Sequence, residues 1–262
     1  MSEIRDFLNL NRRRAMKYRL ANGLALLLAA SAVAGPANAL DGAELLIQVD
    51  RNLTPESYEM YRKLINIEPD GKQKEYVLFT AKKGRDAMIA LFLEPASEKG
   101  RATLRLGDNM WLYIPNVGKP IRITSLQSVV GGVFNNADIM NLDYSTEYTV
   151  DTLTEEPDAY VLELKARTAA VAYDRLKMRV DRETLLPTEI EAHAASGLLI
   201  KTLHFKDMKD FGDGVLRPAV METDSPLYRG YKSVMIYGSI KARDFPDEVF
   251  TLDSLPRAGE LR

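Results

Sequence analysis

The segment Ala172-Tyr173-Asp174-Arg175-Leu176-Lys177-Met178-Arg179-Val180-Asp181 decides the fold class. Ala172, Asp174, Leu176, Met178 and Val180 alternate with Tyr173, Arg175, Lys177 and Arg179, so one set of positions is nearly all apolar and the other largely basic. Successive side chains of a strand point to opposite faces, and this period of two marks a strand with one buried face. Segments of the same kind occur at 58–67, 74–81, 87–93, 102–106, 110–114, 120–124, 159–165, 187–194, 198–205, 215–223 and 231–241. Turn-forming clusters bound them, among them Glu68-Pro69-Asp70-Gly71, Gly107-Asp108-Asn109, Ala195-Ser196-Gly197 and Gly212-Asp213-Gly214. Strands this close together, joined by tight turns, predict an antiparallel meander.

Two regions depart from the alternation. Leu45, Leu46, Val49 and Leu53 fall on one helical stripe behind Asp41, a suitable N-cap, and the stripe ends at Thr54-Pro55. From 125 to 148, Val129, Val130, Val133, Phe134, Ile139, Met140 and Leu142 occur around Gly131-Gly132 without a strand period. That insertion is expected to be a loop with one or two short helices. Its apolar side chains must be buried, most economically over the open face of the sheet as a lid or plug.

At the N-terminus, Arg12, Arg13, Arg14, Lys17 and Arg19 precede an uncharged run from Leu20 to Ala34 and then Gly35-Pro36-Ala37-Asn38-Ala39. Basic block, apolar run and small-residue site predict a cleavable secretory signal peptide over 1–39, cut after Ala39, with Met16 as an alternative start. The run falls short of the roughly 20 residues a membrane-spanning helix needs. Export to a bacterial periplasm is the expectation, with residues 40–262 as one domain. Without the leader, 29 basic and 35 acidic residues remain, a net charge of −6. An acidic body argues against nucleic acid as a partner.

The 262 residues contain no Cys and two His. Disulfides, zinc ribbons, iron–sulfur clusters and thiol nucleophiles are thereby excluded, and no metal or cofactor is expected. His193 and His204 lie inside predicted strands, and no G-x-S-x-G motif is present, so no enzyme activity is expected. The acidic stretches at Glu155-Glu156 and at Asp244, Asp247 and Glu248 read as solvated turns. Trp111-Leu112-Tyr113-Ile114-Pro115, Val77-Leu78-Phe79 and Ile89-Ala90-Leu91-Phe92-Leu93 are apolar on both strand faces, so something must cover the second face. Either an ordinary core or a cavity shaped for acyl chains meets that requirement.

Leu93-Glu94-Pro95, Gly100, Leu104-Arg105-Leu106-Gly107-Asp108 and Trp111-Leu112-Tyr113-Ile114-Pro115 follow one another in order. Val180-Asp181 with Leu186-Pro187, Gly197-Leu198-Leu199-Ile200-Lys201-Thr202-Leu203 and Phe250-Thr251 complete the series. This set, extending from about 43 to 255, resembles the LolA-like outer-membrane lipoprotein-sorting protein family. Residues 134–140, Phe-Asn-Asn-Ala-Asp-Ile-Met, depart from the Gly-Ser-Asp-Phe type of stretch many members carry there, which leaves the cargo open.

The resemblance implies a mainly β fold: an incomplete antiparallel β-barrel of about eleven strands whose concave apolar face is covered by short helices. It further implies a monomeric periplasmic carrier that binds the acyl chains of lipoproteins or lipids. Such a carrier receives cargo from an inner-membrane ABC-type exporter and passes it to an outer-membrane acceptor. A lipid- or lipoprotein-sensing module acting with a membrane partner is the alternative. Cavity-lining residues are expected to be Phe79, Leu91, Trp111, Tyr113, Leu162, Leu164, Leu176, Met178 and Ile190, with Leu112 and Ile114 in place of Trp111 and Tyr113 if the parity is reversed. Gly131, Gly132, Val133, Phe134 and Met140 are expected in the lid, which swings aside around the glycine pair.

Overall fold

The computed structural model describes residues 41–262; the expected leader and its cleavage site lie outside that range. A helix, α1 (Gly42–Leu53), comes first. Asp41 caps it by accepting a hydrogen bond from Ala43 N at 2.9 Å, and Leu45, Leu46, Val49 and Leu53 form its buried stripe as their spacing requires.

Six strands follow: β1 (Tyr58–Ile67), β2 (Gln73–Lys83), β3 (Ala87–Glu94), β4 (Ala102–Leu106), β5 (Asn109–Tyr113) and β6 (Ile121–Ile123). Residues 124–147 then form a crossover containing two one-turn helices, α2 (Asn136–Ile139) and α3 (Tyr144–Glu147). Seven more strands complete the sheet: β7 (Tyr148–Glu155), β8 (Ala159–Ala166), β9 (Arg175–Asp181), β10 (Pro187–His193), β11 (Leu199–Asp210), β12 (Leu216–Asp224) and β13 (Lys232–Ala242). The C-terminal segment carries two 3-10 turns, Asp247–Val249 and Leu255–Leu261.

All thirteen strands join one antiparallel sheet in the order β6-β5-β4-β3-β2-β1-β13-β12-β11-β10-β9-β8-β7. The sheet is open, with β6 and β7 at its edges, as befits an incomplete barrel. Tight turns make this possible; at Ala194–Leu198, Gly197 takes φ +84° and donates to Ala194 O at 2.9 Å.

Every one of the twelve alternating segments forms a strand, already one more than the resemblance implies, and β7, which carries no such signal, makes thirteen. Its Val150 and Leu153 are three residues apart, straddling a register shift between Val150 and Thr152, and its other positions past Tyr148 are Thr, Asp or Glu. A bulge of this kind breaks the period of two at its most visible residues.

Both faces of the sheet carry a cover, the outer one over β2–β5. On the inner face, Met60, Leu64, Leu78, Met88, Met110, Leu162, Met178, Ile190 and Met235 pack with α1 and with Phe134, Ile139 and Met140 of the crossover. On the outer face, Phe79, Ala81, Ile89, Leu91 and Leu104 pack against Phe245, Phe250, Leu255 and Ala258 of the C-terminal segment, with Trp111 and Tyr113 alongside. Strict alternation in β2 and β3 sends neighbouring residues such as Leu78 and Phe79 into different cores, which explains why these strands read as apolar throughout.

Candidate functional site

The crossover starts at one edge of the sheet and ends at the other, so it must span the inner face. Side chains from six elements tie it down. In β1, Arg62 donates to Ile139 O at 3.0 Å and to Thr80 Oγ1 at 2.6 Å. From β2, Lys82 reaches Asp143 at 2.5 Å, and Arg85 in the following turn adds bonds to Asp143 and Ser145. Arg105 of β4 donates to Met140 O at 2.9 Å and pairs with Glu147. Lys201 of β11 donates to Val133 O at 2.5 Å and to Asp138 at 2.8 Å. Ser233 of β13 accepts from Val133 N at 2.9 Å and donates to Asn66 Oδ1 at 2.7 Å.

The sixth element is α1. Asp50 accepts the N–H groups of Tyr144 and Ser145, both at 2.8 Å, and so caps the short α3. Burial pushes the Asp50 carboxyl up to about 6, against the lowering effect of these hydrogen bonds. Burial likewise raises Glu147 despite the opposing Arg105, and it raises the Tyr144 and Tyr173 hydroxyls. Asp138 is the most heavily used acid of the crossover: it accepts from Asn135 N in a capping box that starts α2, from Tyr173 OH at 2.8 Å, and from Lys201.

Between crossover and sheet lies a cavity of about 80 Å³. That holds roughly five to eight water molecules at ~10–15 Å³ each. Its apolar wall includes Met60, Leu142, Leu176, Ile190 and Leu203, and its polar wall includes Asp50, Arg62, Asp138, Glu147 and Arg217, with five tyrosines between them. An acyl chain needs several times this volume, since pockets for drug-sized ligands run about 300–1,000 Å³.

A family model described as an uncharacterized protein matches residues 84–257, more than half of the chain. No curated protein matches the sequence. Among solved structures, a LolA superfamily protein from Nitrosomonas europaea is 28% identical, with TM-score 0.74, covering 82% of this chain and 99% of its own. The chain belongs to the LolA superfamily. A domain from Vibrio parahaemolyticus described as an outer membrane lipoprotein-sorting protein is 18% identical, with TM-score 0.71 over 82% of this chain and 98% of that one. A DUF1329 family protein from Desulfovibrio piger is 23% identical, with TM-score 0.71 over 82% of this chain and 97% of that one.

In this LolA superfamily chain the nine residues expected to line one cavity are divided between the two faces. Leu176 and Ile190 line the cavity, while Leu162, Leu164 and Met178 belong to the same inner core without lining it. Phe79, Leu91, Trp111 and Tyr113 are a correction: they face outward, where the C-terminal segment covers them. Strands buried on both faces give no parity signal from hydrophobicity alone, and Leu78, Met88, Phe92 and Met110 take the inward positions.

Of the expected lid residues, Val133, Phe134 and Met140 are buried side chains of the crossover itself. Gly131 adopts φ +73° in open space, whereas Gly132 presses on the Asn66 side chain so closely that a Cβ would lie 2.1 Å from Asn66 Oδ1. The glycine pair therefore sits where the crossover is fastened to β1 and β13.

The polar anchors do not stand out from the sequence pattern, although a signal for them is present. In β1 the buried positions are Tyr58, Met60, Arg62, Leu64 and Asn66, so Arg62 and Asn66 occupy the apolar parity; Lys82 follows Leu78 and Thr80 in the same way. The histidines lie apart from the cavity, His193 beside Glu191 at 3.2 Å and His204 beside Glu189 at 3.2 Å. The acidic turns pair with surface cations, Glu155 with Arg182, Glu156 with Arg179 and Asp247 with Lys83. Among the described residues no cluster of His, Cys, Asp and Glu suits a metal, and no helix is long and apolar enough to cross a membrane.

Proposed function

We propose that the chain is a periplasmic carrier that lodges the acyl chains of a lipoprotein or lipid between the inner face of the sheet and the crossover. It takes them from an inner-membrane ABC-type exporter and yields them to an outer-membrane acceptor. The observation that carries this reading is the apolar inner face roofed by one segment that joins both free edges of the sheet, with a cavity beneath it. The leader pattern in residues 1–39 supports export, and membership of the LolA superfamily supports the carrier class.

The energetics fit reversible capture. Burying a sixteen-carbon chain gains on the order of 12 kcal/mol at ~0.8 kcal/mol per methylene. The cavity is too small for such a chain, so entry displaces the crossover and separates Lys82 from Asp143, Arg105 from Glu147 and Lys201 from Asp138. Each broken buried pair costs a few kcal/mol. The two quantities are of the same order, so closure of the crossover competes with cargo and favours handover.

The test is native mass spectrometry with lipid extraction on protein purified from a bacterial periplasm without detergent. A bound lipid or acylated peptide is expected, lost in a folded Leu176→Glu variant. A bare protein mass, with no uptake when lipid is offered, would sink the carrier reading and leave the crossover as part of a filled core. Replacing both histidines should leave uptake unchanged.

A further inference from the structure

Five basic side chains are buried in the sheet: Arg62, Lys82, Arg105, Lys201 and Arg217. Three have a carboxylate partner, Asp143, Glu147 and Asp138 respectively for Lys82, Arg105 and Lys201. Arg62 and Arg217 have none within 4.0 Å among the described residues, and both line the cavity. Arg62 spends two nitrogens on the neutral oxygens of Ile139 and Thr80, and its Nε finds no acceptor. Arg217 donates to Leu53 O at 3.0 Å and Pro218 O at 3.2 Å, and lays its guanidinium 4.0 Å from the centre of the Tyr237 ring. Tyr237 is also the register partner of Arg62 across β1 and β13, so the two arginines neighbour one tyrosine on the cavity wall.

The acids around the cavity do not answer these charges. Asp138, Asp143 and Glu147 are engaged by Lys201, Lys82 and Arg105, and Asp50 by the N–H groups that start α3. Burying a charge without a partner is costly, and arginine cannot shed its proton to escape the cost. Two such groups on the wall of one cavity make that wall a seat for an anion that arrives from outside. The guanidinium fork matches phosphate and carboxylate oxygens in pairs.

We propose that Arg62 and Arg217 seat the anionic head group, phosphate or carboxylate, of a single-chain or multi-chain amphiphile whose acyl part lies along Leu176, Ile190 and Leu203. This rests on the carrier reading for the acyl part and narrows the cargo: an acidic lipid satisfies the seat, whereas the neutral amide and glyceryl groups of an acylated peptide do not.

The test is calorimetric titration of the purified protein with three probes sharing a sixteen-carbon chain: hexadecyl phosphate, hexadecanoate and monopalmitoyl glycerol. At least one anionic probe is expected to bind ten-fold or more tighter than the glyceride, and hexadecanoate against hexadecyl phosphate tells which head the seat prefers. Arg217→Gln should cut the preference to less than three-fold without weakening the glyceride, and Arg217→Lys should recover part of it. Equal binding of all three probes by the wild-type protein would overturn the anion seat and leave the acyl carrier standing. No binding by any probe would overturn both. The wild-type comparison decides the matter even if a variant fails to fold.

Discussion

At the scale of single residues, Gly132 and Asp50 are the positions where the crossover has least freedom. The Asn66 side chain that faces Gly132 is buried and held through Ser233, so it has no room to retreat. Gly132→Ala is expected to cost about 1–3 kcal/mol, the range for forcing an extra group into a packed site, read as a lower midpoint in denaturant. Asp50 gives a pH effect whose sign follows from its raised value of about 6 against an ordinary 3.8. The folded state binds the extra proton between these values, so this group's contribution to stability falls as pH rises from about 4 to about 6, by up to ~3 kcal/mol. The groups facing it are the Tyr144 and Ser145 amides and Asp143, the last already paired with Lys82 and Arg85. Denaturant titrations of wild type and Asp50→Asn at pH 4.5 and 7.5 should show the variant gaining ground at the higher pH by about 2 kcal/mol; parallel behaviour would exclude Asp50 as the source.

Among the elements, the C-terminal segment does for the outer face what the crossover does for the inner. Phe245, Phe250 and Leu255 cover Phe79, Ile89, Leu91 and Leu104, so Phe250→Ala is expected to cost about 3–5 kcal/mol in thermal or chemical denaturation. Removing residues 243–262 should expose that face and make the protein bind hydrophobic dyes and associate, which light scattering would record. The two covers were unequally legible in the sequence. Twelve of the strands and α1 could be read because one face of each is apolar at a fixed period, and the crossover because its apolar residues lack any. The outer cover is not legible, and Trp111 reads equally well as facing inward, because apolar residues on both sides of β2 to β5 carry no information about which side is which. The anchors Arg62, Lys82, Arg105 and Lys201 escape notice for a related reason: a count of apolar positions treats a charge at the buried parity as an interruption, when here it is the contact that fixes the crossover.

For the whole molecule, the strand order has a kinetic consequence. Residues 58–123 and 148–242 each form a run of neighbouring hairpins, and only the pairing of β1 with β13 joins them within the sheet. That seam brings Ile67 opposite Lys232 and Tyr58 opposite Ala242, whereas turns such as Ala194–Leu198 close over a few residues. Contacts between distant parts of a chain pay their loop entropy before they return any energy, so they form slowly. The two meanders should therefore gain structure independently, with the seam following and the crossover docking only after both edges exist. Pulse-labelling hydrogen exchange during refolding is expected to show the amides of β2–β3 and β9–β10 protected before those shared by β1 and β13; simultaneous protection across the sheet would contradict this order. Until the seam closes, β1 and β13 are two long unpaired edges able to pair with other copies of the chain, so the yield of refolding should fall steeply with protein concentration.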